Sequence, residues 1–478
     1  MTEPLVLRAT TERTTAIFVV TALGAFMASL DLSIVNIAFH ALQSSFPHDS
    51  RASLSWVITG YAIAFGALLV VAGRTADRLG ARRVFFVGLG VFCLASALCG
   101  VAPSLPLLIA GRIVQGFGAA AMLPSSLGLL LASVPLAKRT VTVARWAGVG
   151  ALAVATGPTL GALLVTAGGW RWVFYVNVPI GVAAWIAGRV VLPRTEADAT
   201  RAAPDYLGAL LVCGALGALV LGLTQGPTWG WATPGTLGCM AAFVLVGVAF
   251  AVRCARHPEP VLDLHLFTSR TFSVANGAML LYAVGFFGML LGNILFLQGV
   301  WHYTVLDAGL AVTPGPLVVA CVSSSAGRLA SRIGFRAVLL CGSGVLATGL
   351  LFYALRVGLR PDYLAVWLPS TLLVGLGIGL TFPVLGATAV SSLAPERFSV
   401  GSAVNQTARQ VGGSVGVALL VVILGSSAVP PLASFRHLWE FGAAMTVLSG
   451  FVCLLLPRRS AARASASAVA APAAAVTR

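Results

Sequence analysis

From residue 16 to residue 456 the chain is a succession of apolar stretches interrupted by arginines, prolines and glycines. A helix crosses the roughly 30 Å hydrocarbon layer of a membrane in about 20 residues, and the stretches have that length. Segments between charges set the count at 16–39, 54–73, 84–102, 107–133, 141–167, 172–192, 206–224, 235–253, 272–296, 308–331, 336–356, 364–388, 401–425 and 437–456. The uncharged run after Asp205 is divided by Gln-Gly-Pro-Thr-Trp-Gly-Trp-Ala-Thr-Pro at 225–234, which is turn chemistry with interfacial tryptophans. The expectation is an all-α polytopic membrane protein of fourteen transmembrane helices. Only 9% of the residues are charged and 58% are hydrophobic. A soluble domain carries about a quarter charged residues and a disordered chain is poor in apolar ones, so both classes are excluded.

A formal net charge of +16 raises the question of nucleic acid, and its placement answers it. With the N-terminus in the cytoplasm, the inner segments hold 23 cationic residues and the outer segments 5, while Arg112 and Arg409 lie within spans. That asymmetry orients the chain, predicts cytoplasmic N- and C-termini and leaves no basic surface for a nucleic acid. The eight cysteines form no Cys-x-x-Cys and do not cluster with histidine, so neither a metal site nor a redox pair has its spacing.

Gly73-Arg-Thr-Ala-Asp-Arg-Leu-Gly-Ala-Arg-Arg83 returns as Gly327-Arg-Leu-Ala-Ser-Arg-Ile-Gly-Phe-Arg-Ala337, an offset of 254, and Gly157 and Gly161 answer Gly412 and Gly416 at 255. Two parallel six-helix repeats with two inserted helices follow, as in transporters whose halves rock about a central site. The expected organisation is a bundle over 1–192, a linker and two inserted helices over 193–253, a second bundle over 254–457, and a disordered cytoplasmic tail over 458–478.

These motifs resemble those of the major facilitator superfamily, in its fourteen-span drug:proton antiporter branch. The segment 73–83 resembles the loop signature between spans two and three. Arg112-Ile-Val-Gln-Gly-Phe-Gly-Ala-Ala120 resembles the span-four signature and Leu30-Asp-Leu-Ser-Ile-Val-Asn-Ile-Ala38 that of span one. Trp170-Arg-Trp-Val-Phe-Tyr-Val-Asn-Val-Pro-Ile-Gly181 matches the branch's entry to span six. The antiporter signature of span five is partial: Gly157, Pro158 and Gly161 are present, but Ala153 and Ala162 stand where glycines are usual. The resemblance implies multidrug efflux and antibiotic resistance, with a small-molecule substrate exchanged for protons at the bacterial plasma membrane. It implies a single chain embedded in the lipid bilayer, powered by the proton motive force, with no cofactor.

Asp31 is a carboxylate deep inside the first predicted span, whereas Glu440 stands near the start of the last. A charge at membrane depth is costly and by default functional; burial disfavours the anion, so the group can take up and release a proton. Counted at 1.5 Å per residue, Asp31 lies roughly 22 Å into span one and Arg112 roughly 8 Å into span four from the opposite face, which brings them to similar depth. The two are expected to form the proton-coupling pair. Gly73, Asp77, Arg78, Gly80, Arg82 and Arg83 form, by resemblance, an inner gate motif, and Ser331 replaces the acid in the second copy. Gly157, Pro158 and Gly161 are expected to bend span five and admit close packing. Asn36, Tyr61, Gln115, Asn405 and Arg409 are candidate cavity residues; positions 402, 405, 409, 412 and 416 share one helical face.

An uptake symporter or facilitator on the same fold is the second reading. A polytopic membrane enzyme is a weaker third, since no His/Asp or Cys/His set converges at one membrane face; no catalytic residue is assigned.

Overall fold

Inside hydrocarbon a peptide group finds no water, so every backbone donor and acceptor must be satisfied within its own segment. Each long apolar run accordingly forms helix. The computed structural model describes residues 3–194, 203–393, 398–425 and 430–457; the predicted tail 458–478 lies outside them.

The first half contains α1 (Glu3–Ile37), α2 (Phe39–Ser45), α3 (Arg51–Leu79), α4 (Ala81–Val101), α5 (Leu105–Ala132), α6 (Leu136–Gly168), α7 (Trp172–Tyr175) and α8 (Asn177–Val191). A hairpin of α9 (Tyr206–Trp229) and α10 (Pro234–Arg256) follows. The second half contains α11 (Arg270–Gly299), α12 (Val305–Val312), α13 (Pro314–Ile333), α14 (Phe335–Arg356), α15 (Leu368–Val390), α16 (Phe398–Leu424) and α17 (Leu432–Cys453).

The expectation of fourteen spans is corrected. Among the described residues twelve helices are long and apolar enough to cross a membrane, or thirteen if a bent pair counts as one span. That pair, Gly148–Val154 and Thr156–Gly168 within α6, turns by 43°. The cause is local: Pro158 has no N–H to offer the carbonyl of Val154 and its ring crowds that turn. The last predicted span coincides with α17, which is not among the twelve. Its first turns carry Arg436, His437 and Glu440, which dilute the apolar character that bounding by charges had overestimated. The expectation of two cytoplasmic termini loses its support with the count, because the division into inner and outer segments assumed fourteen crossings.

The halves use the same set of pairings. In the first, α3 and α4 pack on α5 and α1 packs on α6; in the second, α13 and α14 pack on α15 and α11 packs on α16. The two related loops also turn alike. Gly80 ends α3 with φ 91° and Gly334 ends α13 with φ 95°, 254 residues later, in a backbone region open to glycine and strained for other residues.

The halves meet along two seams. On one, α3 lies against α16: Thr407 donates its hydroxyl to the Gly66 carbonyl at 2.8 Å and Arg51 Nη1 donates to the Gly425 carbonyl at 3.0 Å. On the other, Thr159 of α6 and Thr313, at the junction of α12 and α13, pair through their hydroxyls at 2.5 Å. A Cβ at Gly309 would stand 2.9 Å from the Pro158 carbonyl oxygen. Helix α9 packs on both α3 and α16 through Ile63, Leu216, Val220 and Ala418, and so straddles the first seam.

Candidate functional site

Asp31 and Arg112 meet. Arg112 Nη1 donates to Asp31 Oδ2 at 2.5 Å, and the two side chains are 1% and 0% exposed. A charge pair so deeply desolvated is tolerable only if its remaining donors and acceptors are also occupied, and most of them are. Gln115, one helical turn beyond Arg112 on α5, donates from Nε2 to Asp31 Oδ1 at 2.9 Å and accepts from Arg112 Nη1 at 2.7 Å. Arg112 Nε donates to the Val57 carbonyl of α3 at 2.8 Å. The Arg112 guanidinium lies 4.2 Å from the centre of the Tyr61 ring, a cation–π arrangement. The Tyr61 hydroxyl reaches back to the Ala28 carbonyl of α1 at 3.4 Å.

Sequence reasoning missed two members. Asn177, the first residue of α8, donates from Nδ2 to Ser96 Oγ at 3.1 Å and to Asp31 Oδ1 at 3.5 Å. Ser96 of α4 accepts from Gln115 Nε2 at 3.2 Å and donates to the Phe174 carbonyl at 2.8 Å. The signal for Asn177 was available, as a polar amide inside the predicted span 172–192. A lone serine in an apolar helix gives none. One carboxylate thus ties together α1, α3, α4, α5 and α8, wholly within the first half.

The other expected cavity residues fall elsewhere. Asn36 donates to the Leu32 carbonyl of its own helix at 3.0 Å and stays out of the network. Asn405 donates from Nδ2 to Asn276 Oδ1 of α11 at 3.1 Å. Arg409 lies 5.2 Å from the centre of the Phe382 ring of α15.

Gly157 and Gly161 line the contact of α6 with α1. A Cβ at Gly157 would collide with the Ser33 side chain, and one at Gly161 would stand 2.5 Å from Ile37 Cγ2. Gly412 does the same between α16 and α11, where a Cβ would stand 2.6 Å from the Leu280 carbonyl oxygen. Pro158 supplies the bend.

In the loop motif Asp77 is exposed and Arg78 half-buried. Arg82 Nη2 donates to the Arg189 carbonyl at the end of α8 at 2.9 Å; Gly73 lies near Pro124 of α5, and Arg83 follows at the start of α4. The arginine that reaches furthest is Arg74. It donates to the Pro260 carbonyl at 2.6 Å and faces Glu259 at 3.4 Å, joining the end of α3 to the segment that leads into α11. Beside it Asp205 Oδ1 accepts from the Gly208 amide at 2.8 Å and from Arg253 Nε at 2.5 Å, capping α9 and clasping it to α10. Among the described residues no group of His, Cys, Asp and Glu could hold a metal ion.

A family model described as Major Facilitator Superfamily matches residues 21–417. The chain is 36% identical over 409 residues to the tetracenomycin C resistance and export protein of Streptomyces glaucescens, covering 85% of this chain and 75% of that one. It is 33% identical over 453 residues to the methylenomycin A resistance protein of Bacillus subtilis, covering 94% and 96% of the two chains. Among solved structures it superposes on the nucleoside transporter NupG with a TM-score of 0.64, at 12% identity and over 93% of this chain and 100% of that one. The xylose transporter XylE of E. coli in a partially occluded inward-open conformation gives the same TM-score at 14% identity, over 94% and 99% of the chains. At such identities these two likenesses show the fold.

Proposed function

The chain belongs to the major facilitator superfamily, and on that premise we propose that it exports lipophilic or amphipathic, antibiotic-like small molecules in exchange for protons by alternating access. It is a multi-pass membrane transporter and not an enzyme. Export is supported by the resistance and export proteins to which it is similar over most of its length. The observation that carries the proton coupling is the buried Asp31–Arg112 pair with its two amide donors.

Three donors converge on the Asp31 carboxylate, and they suit its charged form. A proton added to either oxygen removes the attraction to Arg112 and turns an acceptor into a donor that faces Gln115 or Asn177. Arg112 keeps the Val57 carbonyl and Gln115 Oε1, so the change falls on the links from α1 to α5 and α8. Proton uptake is thereby read as a shift in helix packing inside one half, which biases how that half sits against the other. Arg82 and Arg74, with Asp77, Arg78 and the glycines of the same loop, act as the gate that such a shift works on. The driving force is the proton gradient, with a single chain and no prosthetic group.

The test is a susceptibility panel in a pump-deficient host, paired with proteoliposomes in which an imposed pH gradient drives efflux. Wild-type protein should raise resistance to at least one compound, and efflux should stop when the gradient is collapsed. Efflux that persists at full rate without a gradient overturns the coupling; net accumulation of the compound overturns export.

A further inference from the structure

The Asp31–Arg112 pair is closed on itself and electrically neutral, which leaves Arg409 as the charge without a counterpart. It lies about 14 Å along the span that begins at Val400, near the middle of the membrane. Its Nε is buried without an acceptor, and among the described residues no carboxylate pairs with it. An uncompensated guanidinium at that depth is expensive and belongs beside water or a ligand.

The groups around it are likewise unsatisfied. Gln410, the next residue, is 1% exposed with neither amide atom hydrogen-bonded. The Tyr282 hydroxyl of α11, on a side chain 1% exposed, has no partner either. Tyr282 and Tyr61 both lie within electrostatic reach of Arg409, and Tyr61 carries its other face against Arg112. Aromatic rings complete the surroundings: Phe382 under the guanidinium, and Phe286 stacked on Tyr282 with ring centres 5.9 Å apart. Gln410 lies against Gly66 of α3, so the cluster stands where the two halves face each other. Buried polar groups are nearly always paired; here a cation and a hydroxyl are left open within electrostatic reach of each other, and the amide of the next residue is left open at the meeting of the halves.

We propose that Arg409, with Tyr282, is an anion-recognising subsite, and that the preferred substrates are aromatic organic anions bearing a carboxylate, sulfonate or ionised phenol. This rests on the export reading and names its substrate class. A guanidinium forks two donors onto such a group, the rings cover the apolar body, and a cationic substrate meets an uncancelled positive charge.

Binding to the purified full-length protein in nanodiscs decides the matter, using 2-naphthoate and 2-naphthylmethylammonium, which share a ring system and differ in charge. Wild type should bind naphthoate saturably and at least about 10-fold more tightly than the ammonium probe, as one charge-assisted hydrogen bond would give. Arg409→Gln should weaken naphthoate by about the same factor and abolish the preference, while Arg409→Lys keeps most of it. Equal binding of both probes to wild type, no saturable naphthoate binding, or naphthoate affinity unchanged in Arg409→Gln each overturns the proposal. If Arg409→Gln does not fold by thermal unfolding, the wild-type ratio decides alone. Resistance of the wild-type host to permanently cationic compounds only would also overturn it while leaving the export reading in place.

Discussion

Removing the charge of Asp31 separates what the buried pair does for stability from what it does for transport. In Asp31→Asn the side chain keeps its shape and Gln115 and Asn177 can still donate to its remaining oxygen. Arg112 keeps the Val57 carbonyl, Gln115 Oε1 and the Tyr61 ring, but it becomes an unpaired buried cation. Breaking one side of a buried pair costs about 3–5 kcal/mol; the contacts that Arg112 retains place this variant near about 3 kcal/mol. Arg112→Gln strands the carboxylate instead, with two amide donors left, and should cost a similar amount. The double variant carries no stranded charge. It should lie about 3 kcal/mol below wild type instead of the roughly 6 expected from adding the singles, which gives a coupling energy of about 3 kcal/mol, at the upper end for residues in contact. Denaturation in mixed micelles measures the three values against wild type. Proton-driven efflux in proteoliposomes then distinguishes the roles, because the double variant is no less stable than either single and carries neither a stranded charge nor a titrating group. Proton-driven efflux at the wild-type rate in the double variant would mean that the pair only locks helices, and would refute the proton-coupling argument.

Gly118→Ala should lower stability by about 1–3 kcal/mol, since a Cβ there would stand 2.5 Å from the Phe92 amide nitrogen and 2.8 Å from the Gly88 carbonyl oxygen; thermal unfolding reports it. Gly80→Ala and Gly334→Ala should each cost about 1–3 kcal/mol by strain at positive φ, and equal losses at the two sites would match their equal geometry. Asp205→Ala removes the cap on α9 and strands Arg253, for about 1–2 kcal/mol, while Asp205→Asn keeps the cap; protease sensitivity of the α8–α9 connection should separate the two. Thr159→Val deletes the hydroxyl that meets Thr313 and should weaken that seam by about 1 kcal/mol, seen as a broader spin-label distance distribution between α6 and α12.

The pairing of Asp31 with Arg112 was legible because both are charges in long helices, where rise per residue converts position into depth. Gln115 was named only as a cavity residue, and its place one turn beyond Arg112 is what brings it onto the pair. Ser96 was not legible: its role depends on where α4 lies against α5 and α8, and that is fixed by packing. Arg74 was hidden for a different reason. Its neighbours in the loop motif are also arginines, and only the path of the segment before α11 shows which one crosses. The span count failed where residue chemistry and residue position were conflated. Bounding segments by charges treated α17 like any other, although its opening turns carry Arg436, His437 and Glu440. The bend of α6 came through correctly from Pro158, whose effect is local and needs no tertiary information.

Helix α9 sets a mechanical condition on whatever motion the two halves make. The strip formed by Ile63, Leu216, Val220 and Ala418 runs across the α3–α16 joint like tape over a fold in a sheet. Parting that joint would bare apolar side chains of three helices at once. Parting the joint between α6 and the α12–α13 junction breaks the Thr159–Thr313 contact and the close approach at Gly309, and it also opens the apolar cluster in which Ala162 and Val165 lie with Ala308, Ala311 and Val312. Either opening therefore bares apolar surface, and α9 adds a third helix's share to the cost of opening on its own side.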